Sequence, residues 1–214
     1  MAVNRLHTAE LPGVLREPLT ESWETFVQVS REAQFPVPVQ PDFTTSLLRV
    51  WACSDFVSQT CVHEPAMFYR LLASGDLLAD YASGEHRRKL KRALKGVSDA
   101  TELGRLLREF RRQEMLRIAW RDLAGWATLN EVLRDLSELA DACVGVALEY
   151  LGNWAGQRLK PAAKKFKPQM VVLGMGKLGA GELNFSSDID LIFAYPDDAA
   201  GWSRQPLGAE QFYL

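Results

Sequence analysis

Residues 171–193, VVLGMGKLGAGELNFSSDIDLIF, limit the fold more tightly than any other stretch. An apolar run, Val171-Val172-Leu173, reads as a short buried strand. Four glycines follow, at 174, 176, 179 and 181, then a polar cluster of Asn184, Ser186 and Ser187. The stretch closes as a second strand that starts at Asp188 and runs through Ile189 and Asp190 to Phe193. Side chains two apart on a strand share a face, so Asp188 and Asp190 are expected to point together and Ile189 into the core. Two unpaired carboxylates on one face repel each other unless they are solvated or hold a metal. Two hard cations held roughly 3.5–4 Å apart can clamp both oxygens of a phosphoryl displacement. A glycine turn beside them lets backbone N–H groups reach phosphate with no Cβ in the way. The stretch therefore reads as a holder for metal-bound phosphate.

The same letters contain a G-x-G-x-x-G, Gly174 to Gly179, with Asp197 and Asp198 about 20 residues on, as in a dinucleotide-binding crossover. Only eight residues separate Gly179 from Asp188, too few for the helix of such a unit, and the reading leaves the aspartates and serines without a role. A purely structural alternative makes the D-x-D the polar start of a buried strand. The glycine turn ten residues upstream favours the functional reading.

A net charge of −2 gives no general field for nucleic acid or an anionic membrane. Cys53, Cys61 and Cys143 lack metal-ligand spacing and lie in apolar helical contexts, which suits free, buried, reduced thiols. His7, His63 and His86 are scattered, which argues against a zinc site. There is no basic-then-apolar leader at the start, and no apolar run near the ~18 residues that span a bilayer. A soluble, cytoplasmic protein is expected.

Ahead of the glycine stretch the pattern is a series of short capped helices, an all-α bundle. Residues 1–19, with Pro12, Gly13 and Pro18, read as an extended lead-in, and Thr20 as the cap of a first helix facing Trp23, Phe26 and Val27 inward. Residues 35–41 form a proline-stiffened connector. Asp42 caps a second helix with Phe43, Leu47, Val50 and Trp51 inward, and Ser54 or Asp55 a third that ends before Pro65. A fourth spans 66–74 and stops at Gly75. Residues 86–95 hold seven basic or histidine side chains, read as a solvated helix face or a contact for an acidic partner. A helix from Asp99 or Thr101 buries Leu103, Leu106, Leu107 and Phe110 and continues into Glu114, Arg117 and Arg121. Those arginines form either a salt-bridged surface or a face that approaches phosphate. Gly125 ends the helix, and Thr128-x-x-Glu131 is a capping box for a long one. Its apolar positions are Leu129, Val132, Leu133, Leu136, Ala140, Cys143, Ala147 and Leu151, and it is expected to pack on the sheet begun at Val171. Residues 157–168 are a basic linker, and 206–214 the first turn of another helix.

Gly176-Lys177, then ten residues, then Asp188-Ile189-Asp190 resembles the signature of the DNA polymerase beta-type nucleotidyltransferase superfamily. The longer string GMGKLGAGELNFSSDIDLIF, with FRRQEMLRIAWRDL at 110–123, resembles the bacterial glutamine synthetase adenylyltransferase/adenylyl-removing family. Ala180 stands where that family usually carries a third glycine, which matters only if the position needs φ > 0. The resemblance favours a phosphate-facing role for the arginine helix. It implies an α+β fold: a mostly α-helical amino-terminal bundle (1–125), then a long helix and the first strands of a nucleotidyltransferase sheet (126–214). It implies that Asp188 and Asp190 ligate Mg²⁺, that Gly174, Gly176 and Lys177 line the phosphates, and that Ser187 bonds a phosphate oxygen. Substrates would be ATP/ADP, or AMP-tyrosine and phosphate. The amino-terminal copy in that family removes AMP from a tyrosine of glutamine synthetase. The partners implied are glutamine synthetase, the PII signal protein and glutamine as effector. The family draws a third carboxylate from a later strand, so the sequence reads as the front part of a longer protein. A non-catalytic docking module for glutamine synthetase or a regulator, or a nucleotidyltransferase with another acceptor, are the alternatives.

Overall fold

The computed structural model describes residues 11–38, 41–158 and 170–195. Helices dominate, and one small sheet follows them, an α+β arrangement. The helices are α1 (Gly13–Glu32), α2 (Pro41–Cys53), α3 (Asp55–His63), α4 (Pro65–Ser74), α5 (Glu85–Ala93), α6 (Ala100–Leu123) and α7 (Leu129–Arg158). After them come β1 (Val171–Gly174), a single turn α8 (Gly176–Gly179) and β2 (Leu191–Ala194). The chain divides into two compact units: Met1–Asp80 with Arg112–Val132, and Tyr81–Arg111 with Leu133–Leu214. The basic linker after Arg158, Asp197, Asp198 and the last segment lie outside the described residues.

The first unit is built on an aromatic core. Phe26 meets Trp51 edge-on at 5.7 Å and Phe68 edge-on at 5.7 Å, and Trp120 of α6 stacks on Phe68 at 5.5 Å and on Phe43 at 5.3 Å. Rings that meet edge-to-face or offset add roughly 0.5–1.5 kcal/mol per pair beyond their burial. The Tyr69 hydroxyl, in the same core, donates to Ser30 Oγ at 3.2 Å. The expected inward positions Leu47, Val50 and Trp51 are buried, and Phe43 packs against the same core.

The first helix starts at Gly13 and carries Pro18 inside it, so residues 13–19 are not an extended lead-in. Thr20 is not its cap, because its hydroxyl donates to the Arg16 carbonyl at 2.7 Å. The packing of Leu19, Trp23 and Phe26 outweighs the one backbone bond that proline removes. Asp42 already lies inside α2. Ser54 does cap α3, accepting from Val57 N–H at 3.3 Å, and Asp99 caps α6 through Glu102 N–H at 2.9 Å. Of the cysteines only Cys61 is buried, where desolvation pushes its thiol well up; Cys53 is exposed and Cys143 intermediate.

The arginines of α6 are structural. Arg117 and Glu114 are fully buried and paired at 2.8 Å, and Arg117 also donates to the Ala79 carbonyl at 3.1 Å. Arg121 donates to Glu131 at 2.9 Å and to the Leu77 carbonyl at 3.5 Å. Neither faces a phosphate from solvent, which corrects the phosphate-facing expectation. The same pairing leaves the capping box half formed. Thr128 Oγ1 accepts from Glu131 N–H at 3.2 Å, while the Glu131 carboxylate turns to Arg121.

In the second unit α7 serves as a spine. Its buried stripe there runs through Leu136, Leu139, Ala142 and Val146, not through Ala140, Cys143, Ala147 and Leu151, and Leu151 is exposed, as is Leu129 at its start. Polar contacts to α5 and the residues flanking it come from other positions of this helix. Glu138 accepts from Gly84 N–H at 2.9 Å, Glu149 accepts from Lys91 at 2.8 Å and pairs with Arg87, and Tyr150 hydroxyl donates to the Leu94 carbonyl at 2.7 Å. The basic run is thus largely engaged within the unit. Arg88 pairs with Glu85, Lys89 sits 5.2 Å from the Tyr81 ring centre, and His86, expected on the solvated face, is buried.

The sheet is a two-stranded antiparallel ribbon, with Val171 opposite Ala194 and Gly174 opposite Leu191. The strand at 171–174 forms as expected, but Val171 and Leu173 are exposed on it rather than buried. A two-stranded ribbon is marginally stable by itself. Antiparallel pairing also rules out the dinucleotide crossover, which requires parallel strands.

Candidate phosphate-binding turn and aspartate pair

The glycines of the turn have separate physical tasks. Gly176 and Gly181 have φ of +55° and +71°, the left-handed region that side chains with a Cβ avoid. A Cβ on Gly179 would lie 2.4 Å from the Gly174 carbonyl oxygen, and one on Gly174 would lie 2.9 Å from the Leu178 side chain. Leu178 is buried beneath the turn. α8 ends in a Schellman motif: Glu182 N–H donates to the Lys177 carbonyl at 2.8 Å and Gly181 N–H to the Leu178 carbonyl at 3.0 Å. In that motif the left-handed residue is Gly181, and Ala180 before it is right-handed, with φ −83°. The alanine at this position therefore costs the turn no strain.

Beyond Gly181, Leu183 is buried, and its N–H donates to Ser137 Oγ of α7 at 3.1 Å. Asn184 then organises the polar cluster. Its Oδ1 accepts from Ser187 Oγ at 2.6 Å and from Ser186 Oγ at 3.3 Å, and its carbonyl accepts from Ser187 N–H at 3.2 Å. This is a local side-chain turn of the kind that asparagine favours.

β2 begins only at Leu191, so Asp188 and Asp190 precede the strand instead of lying on it. Ile189 is 41 % exposed and does not enter a core. The ladder still reaches Asp190, whose carbonyl accepts from Met175 N–H at 2.9 Å. That bond closes the glycine turn onto the last residue of the D-x-D. Gly174, Gly176, Lys177 and Asp190 thereby belong to one short, hydrogen-bonded segment, and Ser187, the residue before Asp188, is held by the asparagine turn. Lys177, Asp188 and Asp190 are exposed. No group of three or more His, Cys, Asp or Glu side chains suited to a metal occurs among the described residues. Two carboxylates alone suit a hard cation that keeps water and phosphate oxygens in its shell.

The sequence profile of the glutamate-ammonia ligase adenylyltransferase family matches residues 44–214. The chain belongs to that family. Relatives named bifunctional glutamine synthetase adenylyltransferase/adenylyl-removing enzyme are similar along most of its length. The protein from Nitrosococcus oceani is 41% identical over 209 residues, 96% of this chain and 22% of the relative. That from Pseudomonas aeruginosa is 51% identical over 169 residues, 77% of this chain and 17% of the relative. That from Pseudomonas putida is 46% identical over 205 residues, 88% of this chain and 20% of the relative. The chain spans about a fifth of the length of these adenylyltransferases. No helix among the described residues is long and apolar enough to cross a membrane.

The contact that sequence reasoning missed is Ser137. It follows Leu136 on an apolar helix, with no motif to mark it, and only the fold brings it to Leu183.

Proposed function

We propose that this part of the adenylyltransferase chain removes AMP from an adenylylated tyrosine of glutamine synthetase by phosphorolysis. An oxygen of inorganic phosphate attacks the AMP phosphorus, the bond from phosphorus to the tyrosine oxygen breaks, and the phenolate takes a proton. The products are ADP and free tyrosine. The observation that supports this reading is the Met175 N–H to Asp190 carbonyl bond, which joins the glycine-rich turn to the aspartate segment. Asp188 and Asp190 would hold Mg²⁺, which when bound supplies positive charge for the attacking and leaving oxygens. Gly174, Gly176 and Lys177 would bind the phosphate groups, with the lysine as a mobile point charge. Ser187, oriented by Asn184, would donate to a phosphate oxygen. The reaction belongs to the cytoplasm, with the PII signal protein and glutamine as regulators.

The test is Asp188→Asn in the full chain, assayed for AMP release from adenylylated glutamine synthetase in the presence of phosphate and Mg²⁺. Release should be lost and should not be restored by raising Mg²⁺. Release at the parental rate would remove the carboxylate assignment.

A further inference from the structure

We infer that Ser137 is a positioning residue for nucleotidyl transfer, holding the glycine turn and the aspartate pair in mutual register through Leu183. The inference rests on the AMP-removal reading above. Ser137 is buried in the first third of α7, far in sequence from the turn. Its hydroxyl carries one proton, which it donates to the Leu133 carbonyl at 2.8 Å. That leaves a lone pair for Leu183 N–H, and the geometry at the oxygen is set from both sides. Leu183 occupies the two-residue span between Gly181, which ends the Schellman motif, and Asn184, which begins the serine cluster. One end of the loop is tied by Met175 to Asp190, and its middle is tied by Ser137. The second tie adds to the Met175–Asp190 bond a fixed point on α7 between the turn and Asp188. The next residue on α7, Glu138, accepts from Gly84 N–H at the start of α5, so the anchor stands on a helix that is itself braced.

An interaction that sets reacting geometry is lost from kcat and kcat/KM together, with KM little changed. Ser137→Ala in the full chain should lower kcat for AMP release about 10- to 100-fold, the scale of a small misplacement of reacting groups. KM for adenylylated glutamine synthetase should stay within about twofold. Ser137→Thr keeps a hydroxyl that still reaches the i−4 carbonyl, and should restore most of the rate. Amide exchange in the parent supplies a readout that needs no variant: Leu183 N–H should exchange at least about tenfold more slowly than exposed amides of the same loop. Equal exchange in the parent, or parental turnover by Ser137→Ala, would overturn the inference. So would a threonine variant that folds and is as slow as the alanine one. Asp188→Asn, run alongside, separates the two proposals. If it is inactive while Ser137→Ala is not, only the positioning role falls; if it stays active, the reaction assignment falls first.

Discussion

Gly179 and Ala180 are neighbours in one turn, and a methyl group affects them in opposite ways. At 179 it would drive into the Gly174 carbonyl oxygen at 2.4 Å, a backbone atom that cannot step aside. Gly179→Ala should therefore destabilise the turn by about 1–3 kcal/mol, the usual cost of overpacking, and impair AMP release. Ala180→Gly adds a fifth glycine to the stretch, yet the right-handed conformation here gains nothing from it. Its effect on the urea midpoint should stay below about 1 kcal/mol, the entropic cost of a glycine. The run of glycines was legible as a turn, but which of them needs φ > 0 and which needs room was not. That division depends on where the Gly174 carbonyl and Leu178 lie after folding.

Among the elements, α6 shows how charge density misleads. A helix dense in arginine reads as a surface, yet Arg117 and Glu114 are its most buried polar pair. Removing one partner of a buried pair strands the other charge, so Arg117→Ala should cost about 3–5 kcal/mol in chemical denaturation. Replacing both, as in Glu114→Gln with Arg117→Met, should cost far less than the single change, because no ion is left without its counter-ion. α5 and α7 carry the acid-sensitive contacts. Lys91 and Arg87 hold the Glu149 carboxyl below its ordinary 4.5. A depressed carboxyl contributes stability above its unfolded-state pKa and loses it as pH falls through the folded one. Glu149→Gln should thus lower the urea midpoint at pH 7 by less than about 1 kcal/mol equivalent, as for other exposed pairs, and match the parent in strong acid. Asp141 has the opposite sign. Burial, and then the charge of Glu138, raise its carboxyl above the ordinary 3.8. Its ionisation opposes folding at neutral pH, so Asp141→Asn should be stabilising at pH 7, with the gain fading as pH falls through the raised folded-state pKa and gone by about 3.8.

At the level of the molecule, thiol labelling reports whether the first unit's core opens. Cys53 should react at once with an aromatic disulfide reagent, while Cys61, packed among Trp51 and its neighbours, should react only on unfolding. Simultaneous reaction of both in native buffer would contradict the packed core. Periodicity and turn chemistry made much of the helical series readable in advance, because caps such as Ser54 and Asp99 and stops such as Gly75 and Gly125 act through their immediate neighbours. The glycine turn with its aspartates was readable for the same reason: its spacing is a property of a few consecutive residues. The sides on which side chains ended were not readable. The α7 stripe ran through Leu139, Ala142 and Val146, Arg117 went inward to the Ala79 carbonyl, and Ser137 met Leu183 across 46 positions of chain. Local order follows from covalent neighbours, whereas burial and pairing follow from which distant segment comes to lie alongside, and no short window of sequence carries that information.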